Sequence, residues 1–186
     1  MSVMLKITKD NVPSLRQKSV EVPLPLSKED KQFIDEMLDY LKLTQDEKFR
    51  KKHPEVREGV GLAAPQAGVN KQMLVISYAT GDEDHPVIEY QLVNPKIVVS
   101  SVKKCYLSAG EGCLSVDEEH RGYVYRDYKI VVEAFDAKIM DHVRITARGY
   151  DAIVLQHEID HLKGILFYDH IDPKNPFKEI PGSVAI

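Results

Sequence analysis

Residues 150–164 read YDAIVLQHEIDHLKG. Asp151 stands near the start of this run and Lys163 near its end, each charge matched to its end of a helix dipole. Gly164 is suited to the left-handed residue that closes a helix. The run therefore predicts a helix over 150–163. Inside it lies His157-Glu158-Ile159-Asp160-His161, an H-E-x-x-H. Histidines at i and i+4 share one helix face, one turn apart, so their ring nitrogens can converge on a single metal ion. Glu158, beside the first histidine, is placed to act on a water at that ion rather than to ligate it. Chance alone puts this pattern in about one chain in two hundred of this size, so its surroundings matter. Ile153, Val154 and Leu155 precede the motif and Leu162 follows it. This is an apolar helix, and burying two histidines and a glutamate in it without a metal would be costly.

A catalytic ion of this kind needs a third protein ligand and one open position. The continuation H-E-x-x-H-x-x-G-x-x-H finds Gly164 in place but Phe167 where the third histidine belongs. A glutamate on a further helix is the other common arrangement. Glu179 lies at a suitable distance, but Pro176 and Pro181 flank it and leave little room for a helix. Cys113, in Glu111-Gly112-Cys113-Leu114-Ser115, is the better candidate, because a thiolate is a strong ligand for a divalent ion. A small buried apolar role would suit a free cysteine equally, and its distance in sequence from His157 leaves both readings open. Cys105 has no partner motif and reads as structural. A third segment, GVGLAAPQ over residues 59–66, lacks the ending of a phosphate loop. Its small residues permit close backbone approach, and the Gln66 amide could bond a developing oxyanion. Composition alone favours a plain packing segment there.

Outward from these segments, the 186-residue length suits one domain. Ser27 to Leu43 predicts an amphipathic helix, with Ser27 as N-cap and Phe33, Ile34, Met37, Leu38 and Leu41 on one face. A polar stretch runs from Thr44 to Glu58. Strands are expected over Met73–Ser77, Val87–Val93, Ile97–Val102, Ile130–Phe135 and Val143–Ala147. The tail from Asp172, rich in proline and charge, is expected to be loosely ordered. The order helix, strands, helix implies α+β, with antiparallel or mixed sheets around a central helix carrying the H-E-x-x-H. With 25 basic and 29 acidic residues the net charge is −4, which speaks against nucleic-acid or membrane binding driven by bulk charge. No apolar run is long enough to span a bilayer. The N-terminus has no signal-peptide pattern, so a cytoplasmic protein is expected. Two cysteines form no disulfide framework and fit a reducing compartment.

GVGLAAPQ, EGCLS and QHEIDH occur in this order, and together they resemble the three motifs of the peptide deformylase family. SVDEEHRGYV (115–124) and FYDHID (167–172) are similar to the longer, second class of bacterial deformylases. The resemblance implies a metal-dependent hydrolase that removes the N-formyl group from N-terminal formylmethionine, releasing formate. It implies that Cys113, His157 and His161 bind the metal, that Glu158 is general base and acid, and that Gln66 and the Leu114 N–H hold the oxyanion. Val60 and Gly61 would contact the substrate backbone. Glu111 and Gly112 would shape the cysteine loop beside the substrate, and Tyr150, Ile153 and Val154 would line the methionine pocket. The implied ion is Fe2+ in the cell, replaceable by Zn2+, Ni2+ or Co2+. The implied partners are N-formylmethionyl nascent peptides and the ribosome near its exit tunnel, met by a monomer. Arg121 lies near the offset at which the other class carries a peptide-binding arginine, but that role does not transfer. Two rivals remain. A zinc peptidase would need a third His or Glu ligand. A metal module without turnover would need a fourth ligand, with His170 or Cys105 available.

Overall fold

The structure, a computed structural model, describes residues 4–186; the first three residues of the N-terminal reading lie outside it. In chain order the elements are α1 (Lys28–Gln45), α2 (Glu47–Lys52), β1 (Gly61–Ala63), β2 (Met73–Ala79), β3 (Val87–Ser100) and β4 (Lys104–Tyr106). Then come β5 (Arg126–Asp127), β6 (Lys129–Asp136), β7 (Asp141–Arg148), α3 (Tyr150–His161) and β8 (Val184–Ala185). This is the α+β arrangement expected, with α3 against the main sheet.

The start of α1 follows its sequence: Ser27 Oγ accepts from the Asp30 N–H at 3.0 Å, and Glu29 and Asp30 sit in the positive first turn. Ile34, Met37, Leu38 and Leu41 are buried on one face. The polar stretch after it is not all irregular. Asp46 Oδ1 accepts from the N–H groups of Lys48 and Phe49 at 2.7 and 3.2 Å and caps the short helix α2.

The main sheet has the order β1-β2-β3-β6-β7, antiparallel throughout. The run Met-Leu-Val-Ile opening β2 is unbroken because both faces are covered. Leu74 and Ile76 pack with Ala152, Leu155 and Ile159 of α3, while Met73 and Val75 pack with Met37 and Leu41 of α1. Each such side chain fully buried stabilises the fold by about 1.5–3 kcal/mol. The two strands expected over 87–102 are one. Asn94, at φ 52°, and Pro95 make a bulge that shifts the register against β6 between Val93 and Lys96. The Asn94 side chain accepts from the Val22 N–H at 2.8 Å and donates to the Val22 carbonyl at 2.9 Å, tying the bulge to the segment before α1.

The tail, expected to be loosely ordered, ends in β8, which pairs parallel to β4 and completes a second sheet of order β5-β4-β8. The Ile186 N–H donates to Tyr106 O at 2.9 Å, and Ile186 O accepts from the Ser108 N–H at 3.1 Å. Proline and charge in 172–181 turn the chain. The apolar end then supplies the strand that the edge of β4 needs.

Helix α3 ends as its sequence suggests, with Gly164 left-handed at φ 72°. A β-carbon there would stand 2.2 Å from Arg16 O and 2.5 Å from Arg16 C, both rigid backbone atoms. Gly164→Ala is expected to destabilise the protein by about 3 kcal/mol or more, from left-handed strain plus overpacking. A urea midpoint equal to that of the parent protein would show that the helix end can relax.

Candidate active site

Three segments distant in sequence meet at one cleft. Helix α3 supplies the histidines, the 111–117 loop supplies Cys113, and β1 with the turn after it forms the facing wall. Cys113 Sγ lies 3.2 Å from His161 Nε2. One ligand atom from each of Cys113, His157 and His161 lies within 4.8 Å of the others, and among the described residues this is the one such group. Phe167, which occupies the position of the missing third histidine, lies nearly parallel to the His157 ring with centroids 6.1 Å apart. His170 turns instead to Asp160, with Nε2 2.7 Å from Oδ2, and Cys105 is buried in β4. Neither candidate for a fourth ligand joins the group.

His157 is oriented from behind: its Nδ1 lies 2.8 Å from Glu111 Oε2. Glu111 is itself gripped by Arg126, with Nε to Oε1 at 2.6 Å and Nη2 to Oε2 at 2.9 Å, while Nη1 reaches Asp160 Oδ2 at 2.9 Å. Burial works to raise the Glu111 carboxyl, but Arg126 and His157 outweigh it and bring its pKa down to about 2. Glu111 was expected to shape the cysteine loop beside the substrate. It does reach the cleft wall, but both of its oxygens are engaged by Arg126 and His157, so its carboxylate orients the His157 ring.

Burial also opposes the Cys113 thiolate, yet the neighbouring His161 and His157 hold the thiol well below its ordinary pKa. Glu158 differs. It is 4% exposed, burial raises its carboxyl above the usual range, and its Oε2 has no hydrogen-bond partner among the described residues. A buried unpaired carboxylate oxygen costs free energy and marks a place reserved for another molecule. An acidified thiol and two imidazoles, one of them oriented by a carboxylate, together fit one divalent ion, and three donors leave a position open.

Gln66 is buried and held by its oxygen, which accepts from the Ala63 N–H at 2.8 Å. Its Nε2 is thereby turned to Cys113 Sγ at 3.4 Å and Ser115 Oγ at 3.1 Å. The cleft, of about 290 Å³, is lined by Val60, Gly61, Gln66, Glu111, Gly112, Cys113, Leu114, Tyr150, Ile153, Val154, His157 and Glu158. Every candidate residue reaches this wall except His161, which lies beneath it at 1% exposure. Gly59, from the GVGLAAPQ segment, also lines it, as do Arg57, Glu58 and Leu107, which sequence reasoning did not find. It missed Arg126 and Ser115 as well. Arg121 stays apart, exposed and paired with Glu119 at 3.1 Å.

The profile of the family described as polypeptide deformylase matches residues 4–177. The peptide deformylase of Macrococcus caseolyticus is 47% identical over 186 residues, covering all of both chains. Peptide deformylase 2 of Geobacillus stearothermophilus is 46% identical, covering 100% of this chain and 99% of its own. The crystal structure of Ehrlichia chaffeensis peptide deformylase in complex with actinonin is 32% identical, with a TM-score of 0.75, over 95% of this chain and 92% of that one.

Proposed function

The chain belongs to the peptide deformylase family and is a hydrolase that removes the N-formyl group from nascent polypeptides, and from that premise we propose how its residues share the reaction. Cys113, His157 and His161 hold one divalent ion: Fe2+ in the cell, with Zn2+, Ni2+ and Co2+ able to replace it. When bound, the ion supplies Lewis acidity, lowering the pKa of a water and polarising a carbonyl. Glu158 Oε2 takes a proton from the attacking water and later returns it to the departing amine. The Gln66 amide and the Leu114 N–H bond the oxyanion. The formyl carbon bears only hydrogen beyond its amide, which suits the narrow space beside Gly61. Val60 and Gly61 run along the peptide backbone, Gly112 lets the cysteine loop approach it, and Tyr150, Ile153 and Val154 take the methionine side chain. An apolar wall with one aromatic ring suits a thioether. The same reading has the whole chain act as one catalytic unit, a cytoplasmic monomer that meets formylated chains near the ribosomal exit tunnel. Among the described residues no helix is long and apolar enough to cross a membrane.

The observation that carries this reading is the unpartnered, buried Glu158 oxygen beside the Cys113–His157–His161 group. Its test is formate release from formyl-Met-Ala-Ser by protein prepared without oxygen, first stripped of metal and then loaded with iron(II) or nickel. Turnover that appears on loading supports the scheme, and folded, loaded protein that releases no formate overturns it. For the oxyanion donor, Gln66→Leu is expected to lower kcat by about 10²–10³ with KM little changed. A raised KM at full kcat would make Gln66 a binding residue only.

A further inference from the structure

Arg57 lies near the end of the polar stretch Thr44 to Glu58, and the fold carries it across to the cysteine loop. Its placement is anchored two residues on. The Gly59 N–H donates to Thr44 Oγ1 at 3.1 Å, and Gln45 Nε2 donates to Gly59 O at 2.9 Å, so the end of α1 fixes where residue 57 stands. From there Arg57 Nη2 lies 2.8 Å from Cys113 O, 3.0 Å from Leu114 O, 2.9 Å from Val116 O and 3.2 Å from Asp117 Oδ1. The loop it meets is a tight one, with the Val116 N–H donating to Cys113 O at 3.1 Å.

Three carbonyls aimed at one spot repel, and a guanidinium there offsets that repulsion. Lys9 Nζ adds a second cation, 3.1 Å from Leu114 O and 2.7 Å from Asp117 Oδ1. Cys113 O and the Leu114 N–H belong to one planar trans peptide unit, so they point in opposite directions. Gripping the oxygen therefore fixes the direction of the N–H, which points the opposite way. The Arg57 side chain is 45% exposed, which gives it little part in the core. Among the described residues, every hydrogen bond it makes goes to this loop.

We infer that Arg57 is a positioning residue for deformylation: by holding the Cys113 carbonyl it fixes the orientation of the Leu114 N–H that receives the oxyanion. This rests on the reading of Leu114 as an oxyanion donor. The test uses full-length, nickel-loaded Arg57→Gln and Arg57→Lys, with kcat, KM and bound metal measured on formyl-Met-Ala-Ser. The absorption of the cobalt-loaded proteins serves as a readout of the Cys113 ligand.

Arg57→Gln is expected to lower kcat by about tenfold, less than deletion of a donor outright. KM should stay within about twofold, because only a transition-state contact is disturbed. One metal per chain and an unchanged cobalt spectrum are expected, and Arg57→Lys should recover most of the loss by restoring the charge. A raised KM with kcat intact would make Arg57 a peptide contact and overturn the proposal. Lost metal or a shifted spectrum would also overturn it, by showing that Arg57 holds the ligand and not the donor. Gln66→Leu is measured alongside. If it lowers kcat and Arg57→Gln does not, the positioning role falls and the oxyanion reading stands. If neither lowers kcat, the oxyanion reading itself falls.

Discussion

Glu158→Ala is expected to keep one metal ion per chain and to lose about 10²–10⁴ in kcat. Metal retention follows from geometry: the converging donors are Cys113, His157 and His161, and the substitution touches none of them. The loss of turnover follows from what Glu158 is free to do. Its Oε2 makes no hydrogen bond to any described residue, and burial raises its carboxyl above the ordinary range, so the oxygen is unengaged and of raised basicity. Both halves are read from one preparation, as metal content and as the rate of formate release. Stability supplies a third readout. A buried carboxylate without a partner is unfavourable, so the metal-loaded variant should melt no lower than the parent, the reverse of what truncating a packed core side chain does. Loss of the ion together with activity would reassign Glu158 as a ligand.

Several of these features could be read from the sequence because the physics behind them is local. The Ser27 cap and the apolar face of α1 need only spacing three and four residues apart. The two histidines of α3 need only one helical turn. Cys113 was left open by spacing, since nothing local tells a ligand from a small buried thiol; the three motifs imply a ligand by resemblance, and the fold brings its sulfur to 3.2 Å from His161 Nε2. The misses are long-range. Strands were expected over Val87–Val93 and Ile97–Val102, with Asn94 and Pro95 between them. The strand continues because the Asn94 side chain finds its partner at Val22, 72 residues away in sequence. Arg126 carries no signal in its own neighbourhood, since its meaning comes from Glu111 on one side and Asp160 on the other. Glu111 was assigned to the cleft wall, but its pairing with Arg126 and His157 was not foreseen, because which way a carboxylate turns depends on a guanidinium that only the fold delivers.

Gly61→Ala is expected to come close to Glu158→Ala in effect, although it deletes nothing. The small residues of 59–66 permit close backbone approach, and the family resemblance implies that Val60 and Gly61 contact the substrate backbone. The structure adds a second reason at Gly61: a β-carbon there would stand 2.3 Å from Glu158 Oε1, 2.7 Å from its Cδ and 2.8 Å from its Cγ. Contact with Cγ and Cδ as well as the tip means that turning the carboxylate alone does not relieve the clash. The whole side chain has to move, in a site where it is 4% exposed. β1 cannot easily yield either, because Gly61 is paired to Ile76 in the sheet. The added methyl is therefore expected to lower kcat by about 10² or more by displacing the base, with the metal retained. It should also destabilise the fold by about 1–3 kcal/mol through overpacking. The double variant Gly61→Ala with Glu158→Ala separates the causes. If the methyl acts by displacing Glu158, it fits the space the shortened side chain leaves. Stability then recovers, and kcat is no lower than for Glu158→Ala alone, a strongly non-additive pair. If Gly61→Ala instead raises KM at full kcat, the glycine serves the peptide backbone alone and Glu158 has more freedom than its packing indicates.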